Sequence, residues 1–172
     1  MNYKTRLKNI KIFIFDYDGV ITDGNIYTAN DDIIMRTGNV KDGYAIQYAI
    51  KLGYDIIILS GGNGKSIETR MNMLGVTKVF VSTGNKLKMY NNYCKSNNID
   101  KNSVLYMGDD IPDYDMMQNV GIAACPYDAA NEIKQVADYI SDKCGGKGCV
   151  RDVIEQVLKS QDRWFNEISK EW

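Results

Sequence analysis

An α/β fold with a parallel sheet and helices on both faces is predicted by three observations in the 172-residue sequence. Short β-rich apolar runs alternate with segments able to form helices. Each of the main runs stops abruptly at Asp, Ser or Gly, as a buried strand does where it enters a turn. The residues at those stops, Asp16, Ser60 and Asp109, are also the ones best suited to chemistry, and ligands in such sheets gather at the carboxyl ends of the strands.

In chain order, residues 11–15 form the first strand, and 55–59, 79–81, 104–107 and 121–124 the next ones. Helices are expected between them over 44–52, 65–74, 86–96 and 114–119, with a last helix over 151–160. Residues 25–37 interrupt the alternation. Two short β-like runs flank Asn30-Asp31 there, which predicts a β-hairpin inserted after the first strand. The glycine-rich string Gly145-Gly146-Lys147-Gly148 precedes the C-terminal helix and tail of 151–172. No repeat, linker or low-complexity block divides the chain, so residues 1–172 are expected to form one domain.

With 44% hydrophobic and 25% charged residues the chain has the makeup of a folded globular protein. Its 21 basic and 22 acidic residues nearly cancel, which gives no field to draw in nucleic acid or an anionic membrane. The apolar run before Asp16 is too short for a signal peptide core or a membrane span, so a cytoplasmic protein is expected. Cys94, Cys125, Cys144 and Cys149 are then expected to be reduced thiols. Histidine is absent altogether. That excludes Ser-His-Asp and Cys-His catalysis, phosphohistidine chemistry and His-ligated zinc, and leaves carboxylate, hydroxyl, amine and thiol chemistry.

Within that set the most informative string is Asp16-Tyr17-Asp18-Gly19-Val20, directly after the first strand. Two carboxylates two residues apart in a strand-leaving turn can divide the work, one attacking phosphorus and one moving a proton. Gly108-Asp109-Asp110-Ile111-Pro112-Asp113 follows another strand. Carboxylates this close repel unless a cation or hydrogen bonds compensate them, and an all-oxygen set suits Mg²⁺, although Asp110 or Asp113 alone could cap the next helix. Between these strings, the Ser60 hydroxyl and the exposed amides beside Gly61 and Gly62 can hold phosphate, and Lys86 adds a compensating charge.

The order strand-DxDGV, strand-SGG, Lys, strand-GDDxxD resembles the four motifs of the haloacid dehalogenase-like superfamily over residues 11–124. The fuller strings DYDGVITDG, NVKDGY, GDDIPD and GGKGCVRD are similar to those of its 3-deoxy-D-manno-octulosonate 8-phosphate phosphatases and extend the match to nearly the whole chain. The resemblance implies a Rossmann-like, capless fold and a Mg²⁺-dependent phosphomonoesterase of lipopolysaccharide precursor synthesis. It implies Asp16 as nucleophile, Asp18 as proton donor and then base, and Lys86 and Ser60, with Gly61, around the phosphoryl oxygens. Mg²⁺ would be held by Asp16, the carbonyl of Asp18 and Asp109, with Asp110 and Asp113 behind them. Asn39, Lys41, Asp42, Gly43 and Arg70 are implied in lining the substrate site. A homotetramer is implied as well, in which 25–37 packs between subunits and 145–151 approaches a neighbour's cleft to cover it.

Two departures bear on substrate choice. Gly62 stands where many relatives have arginine, and Gln47 where some have a basic residue. Phosphatases of nine-carbon, sialic-acid-like keto sugars are the alternative within the superfamily. A receiver-like phospho-accepting switch is the alternative outside it, disfavoured because its phosphorylated aspartate ends the third strand, where this chain has Ser60. A thiol phosphatase fails on spacing, since Arg151 is one place too far from Cys144.

Overall fold

The computed structural model describes residues 2–29, 34–62 and 64–170. The strands among the described residues are β1 (Ile12–Phe15), β2 (Tyr27–Thr28), β3 (Ile34–Met35), β4 (Asp55–Leu59), β5 (Lys78–Phe80), β6 (Val104–Met107), β7 (Ile122–Cys125) and β8 (Tyr139–Ile140). The helices are α1 (Tyr3–Arg6), α2 (Val40–Lys51), α3 (Lys65–Met73), α4 (Lys86–Ser96), α5 (Tyr114–Met117), α6 (Asn131–Val136) and α7 (Cys149–Ser160).

Six strands form one parallel sheet in the order β5-β4-β1-β6-β7-β8. β1 lies at its centre, with Ile12 opposite both Asp55 and Val104, and Phe15 opposite both Ile58 and Met107. Its IFIF run is buried throughout, and the alternation sends Phe13 and Phe15 into one layer and Ile12 and Ile14 into the other. The first layer is closed by α2, α3 and α7, and the second by α4, α5 and α6. From β1 the chain runs outward through β4 and β5, then crosses back to β6, β7 and β8. That reversal leaves a crevice at the carboxyl end of β1.

The predicted alternation therefore holds, with one strand more than expected. β8 is only two residues long, and no apolar run announces it. It is secured by its pairing with β7 and by Asp138, which accepts from the Ala123 amide at 3.0 Å and pairs with Arg6. α1 and α6 were likewise not anticipated, and α5 ends before residue 119. α2 begins ahead of residue 44 because Asn39 caps it, accepting from the Lys41 amide at 2.8 Å and the Asp42 amide at 3.3 Å.

β2 and β3 form the expected antiparallel hairpin, with Tyr27 opposite Met35; its Asn30-Asp31 turn lies outside the described residues. Ile26, Tyr27, Ile34 and Met35 leave this hairpin with an exposed apolar surface.

α7 buries Cys149, Val150, Val153, Ile154, Val157 and Leu158, the spacing of a single apolar stripe, and packs beside α2. Its amino end is held by Asp42 of α2, a carboxylate 1% exposed that accepts from the Arg151 amide at 2.7 Å and the Gly148 amide at 3.2 Å. The glycine-rich string docks on its own chain: the Gly146 amide donates to Val20 O at 3.0 Å, and a β-carbon at Gly145 would lie 2.0 Å from Gly19 O. Asp42→Ala is expected to orphan two half-buried helix-start amides and cost about 2 kcal/mol. At this chain length that corresponds to a fall of about 4–8 °C in Tm, readable by thermal unfolding.

Candidate active site

Each strand that ends in the crevice delivers one polar group. Asp16 continues β1, its amide donating to Met107 O at 3.0 Å, so its carboxylate is fixed by the sheet. The chain then turns through Gly19, whose φ of 87° suits glycine and whose missing β-carbon would sit 2.0 Å from Asp109 Oδ2. Glycine is thus required for the first acidic turn and the β6 turn to close on each other. Ser60 follows β4 and is 1% exposed; its Oγ accepts from the Gly62 amide at 3.1 Å. It is not a helix cap, since the capping position of α3 is Gly64, which makes no side-chain cap.

Lys86 opens α4 with its side chain 6% exposed, and its ammonium bridges Asp16 Oδ1 at 2.8 Å and Asp113 Oδ1 at 2.6 Å. Asp113 is a four-way anchor. Oδ1 also accepts from the Tyr106 hydroxyl, and Oδ2 accepts from the amides of Asp109 at 2.9 Å and Asp110 at 3.3 Å. Asp110 is exposed and completes a capping box with Asp113, so the local helix-capping role weighed from the sequence operates alongside the cluster.

Carboxylate oxygens of Asp16, Asp109 and Asp113 lie within 4.8 Å of one another. With both oxygens of Asp113 committed to four donors, the pair with open coordination is Asp16 and Asp109. Burial, then repulsion from Asp113, pushes the Asp16 carboxyl up to about 6 against the opposing pull of Lys86. Burial and the neighbouring Asp16, Asp113 and Asp110 push Asp109 up to about 8. Such an uncompensated, all-oxygen acidic pair fits a hard divalent cation, and Mg²⁺ in particular.

Both carboxyls ordinarily titrate near 3.8, so between about pH 4 and pH 8 the metal-free fold binds more protons than the unfolded chain. Stability is therefore expected to fall as pH rises through that window. A cation that binds the charged pair reverses the loss. Thermal unfolding with Mg²⁺ or with EDTA should show a larger Mg²⁺-induced rise in Tm at pH 8 than at pH 5; an equal rise at both would contradict the pairing.

The cleft encloses about 450 Å³ and is lined by Asp16, Asp18, Ser60, Gly61, Lys86 and Asp109, together with Gly62, Asp110 and Asp113. The sequence reading thus named most of its polar wall. It did not name Thr83, Gly84 and Asn85, which form another side. There the Thr83 hydroxyl donates to Ser60 O at 2.6 Å and Asn85 caps α4. The signal available was the Gly-Asn pair directly before Lys86.

Asn39, Lys41, Asp42, Gly43 and Arg70 stand apart from this cleft. Asn39 caps α2 and donates to Gly146 O at 3.2 Å, and Asp42 caps α7. Lys41 borders a charged groove with Lys147 and Arg151. Gly43 lets Arg70 approach α2, since a β-carbon there would be 3.0 Å from Arg70 Nη2. Arg70 belongs to an adjoining recess of about 380 Å³ with Tyr17, Arg36, Thr37, Gly38 and Ser66. Arg36 was also missed by the sequence reading. It follows β3, and its Nε donates to Asp18 Oδ1 at 2.7 Å. The four thiols are free, and Cys94, Cys125 and Cys149 are buried, with burial pushing the Cys125 thiol up to about 11. None of the four is among the residues lining the cleft.

Residues 79–151 match the haloacid dehalogenase-like hydrolase family. The chain is 33% identical over 159 residues to the 3-deoxy-D-manno-octulosonate 8-phosphate phosphatase of Salmonella typhi, covering 92% of this chain and 85% of that protein. The crystal structure of the Yersinia pestis enzyme of the same name superposes with a TM-score of 0.91 at 34% identity, over 94% of this chain and 88% of the other. That of the Moraxella catarrhalis phosphatase, in complex with magnesium ion, phosphate ion and KDO, superposes with a TM-score of 0.91 at 28% identity, over 94% and 93%.

Proposed function

This chain belongs to the 3-deoxy-D-manno-octulosonate 8-phosphate phosphatases, haloacid dehalogenase-like hydrolases, and on that premise we propose that it hydrolyses this sugar phosphate to the free sugar acid and phosphate. The observation that carries the proposal is the meeting of Asp16, Asp109 and Lys86 in one cleft at the sheet's carboxyl edge.

Asp16 is the nucleophile. Its carboxylate is held by the Lys86 ammonium at 2.8 Å, which orients it and offsets charge as the phosphoryl group transfers. Asp18, on the rim of the same turn, gives a proton to the departing sugar oxygen and then takes one from the water that cleaves the aspartyl-phosphate. Ser60 Oγ and the backbone at Gly61 receive the phosphoryl oxygens. Mg²⁺ held by Asp16, the Asp18 carbonyl and Asp109 supplies charge neutralisation and polarisation of the phosphoryl group. Asp113 fixes Lys86 and the Asp109 amide, and Asp110 supports that loop.

Arg70, in a recess lined also by Tyr17 and Arg36, offers a guanidinium to the sugar's carboxylate, with Asn39, Asp42 and Gly43 supporting it from the start of α2 and Lys41 on a separate groove. The whole chain serves as one domain. The exposed apolar hairpin supports assembly into a homotetramer whose subunits cover the site, in the cytoplasm. No described helix is long and apolar enough to cross a membrane.

Phosphate release with Mg²⁺ from the eight-carbon substrate and from nine-carbon keto-sugar phosphates, run in parallel, tests the substrate. A preference for the eight-carbon sugar of about 100-fold in kcat/KM is expected, the scale on which a pocket discriminates against an analogue enlarged by one group. Equal or faster turnover of the nine-carbon sugar overturns the assignment and keeps the chemistry.

A further inference from the structure

We propose that Arg36, carried by the hairpin, is the positioning residue that fixes the Asp18 carboxylate for proton transfer; this rests on the acid–base reading of Asp18.

Arg36 leaves a peripheral insert, yet its side chain is only 7% exposed, less than the 29% of the aspartate it meets. Its Nε donates to Asp18 Oδ1 at 2.7 Å, while among the described residues the other side-chain contact of that oxygen, from the Thr22 hydroxyl, is long at 3.4 Å. Charge-assisted hydrogen bonds are the shorter and stronger kind, so the guanidinium sets where Oδ1 sits.

Gly62 leaves the space for this. A β-carbon there would lie 3.3 Å from Arg36 Nη2 and 3.2 Å from Asp18 Oδ2, so glycine, guanidinium and carboxylate close on one another at the cleft wall. With Oδ1 tied to Arg36, Oδ2 lies over Gly62 and is the oxygen left to carry the proton. In the first step the bond from Asp16 to phosphorus forms, the bond from phosphorus to the sugar oxygen breaks, and the Asp18 proton passes to that oxygen. In the second, water oxygen bonds phosphorus, the bond from phosphorus to Asp16 breaks, and one proton of the water passes to Asp18. Holding one rotamer through both steps removes a search that a half-exposed aspartate would otherwise make.

A general acid matters most when the leaving group is a poor one. Arg36→Met should therefore lower kcat/KM for the sugar phosphate by about 10- to 100-fold while p-nitrophenyl phosphate, whose phenolate leaves without help, loses less than about threefold. Inhibition by the free eight-carbon sugar acid should be unchanged, and Arg36→Lys should recover part of the loss. An equal fall for both substrates would make Arg36 a structural tie of the hairpin, and no fall would leave it without a role. A weakened inhibition by the sugar acid that tracks the loss would make it a substrate contact. Each of those three results overturns the proposal. Asp18→Asn in parallel separates the two layers. If it spares sugar-phosphate turnover, the acid–base reading of Asp18 falls and takes Arg36 with it; if it shows the asymmetry and Arg36→Met does not, only Arg36 falls.

Discussion

Asp16→Asn is expected to lower phosphate release by about 10⁴-fold or more, the scale seen when a covalent catalyst's nucleophile is removed. The amide has nearly the same shape and can still accept from Lys86, but it has no charge with which to attack phosphorus. The variant should fold. In the wild type, the Asp16 carboxyl is destabilised by burial and by Asp113, and it raises Asp109 in turn. Neutralising it relieves that repulsion, so without metal at pH 8 the variant should melt at or above the wild-type temperature while losing most of its response to Mg²⁺. Phosphate release and thermal unfolding on the same preparation separate the two effects. Retained turnover would remove Asp16 from the chemistry, and a collapsed Tm would make its role structural.

Lys86→Met is the second large effect and should cost both activity and stability. The ammonium lies between two buried carboxylates, Asp16 and Asp113, and its proton affinity is raised by both against the cost of burial. Methionine fills the space but leaves those charges unpaired, a loss of about 3–5 kcal/mol for a broken buried pair. Turnover should fall by about 10²–10³-fold, as when one donor to a developing charge is removed. Chemical denaturation and steady-state kinetics measure the two losses. Because the stability loss comes from uncompensated carboxylates, Mg²⁺ or a shift from pH 8 to pH 5 should restore part of it. A loss indifferent to both would point to packing alone.

The parts of the site legible in the sequence share one physical cause. A strand buried on both faces is a continuous apolar run, and its end is marked by the first residue that cannot be buried without a partner. IFIF before Asp16, DIIIL before Ser60 and VLYM before Gly108-Asp109 all have this form. Parallel pairing then brings those ends together, which is why the sequence alone groups Asp16, Ser60 and Asp109.

What was not legible depends on contacts between distant segments. Asp42 and the amides of Gly148 and Arg151 are more than 100 positions apart, and nothing in NVKDGY announces that its aspartate caps a helix in the last quarter of the chain. Arg36 reaches Asp18 only because of how the hairpin folds back. β8 consists of two residues held by an edge pairing, too short for any period to register. The anchorage of 145–151 was hidden for a related reason: glycines at Gly145 and Gly146 look like a free loop, but they let the backbone press against Gly19, Val20 and Thr22.

Central to the mechanism is that phosphate passes through a covalent acyl phosphate on Asp16. Quenching the enzyme during turnover of 3-deoxy-D-manno-octulosonate 8-phosphate, reducing with borohydride and sequencing the peptides by mass spectrometry tests it directly, because reduction turns an aspartyl-phosphate into homoserine. Homoserine at position 16, absent without substrate, is the predicted result. Homoserine at another aspartate, or none at all while phosphate is being released, would contradict it.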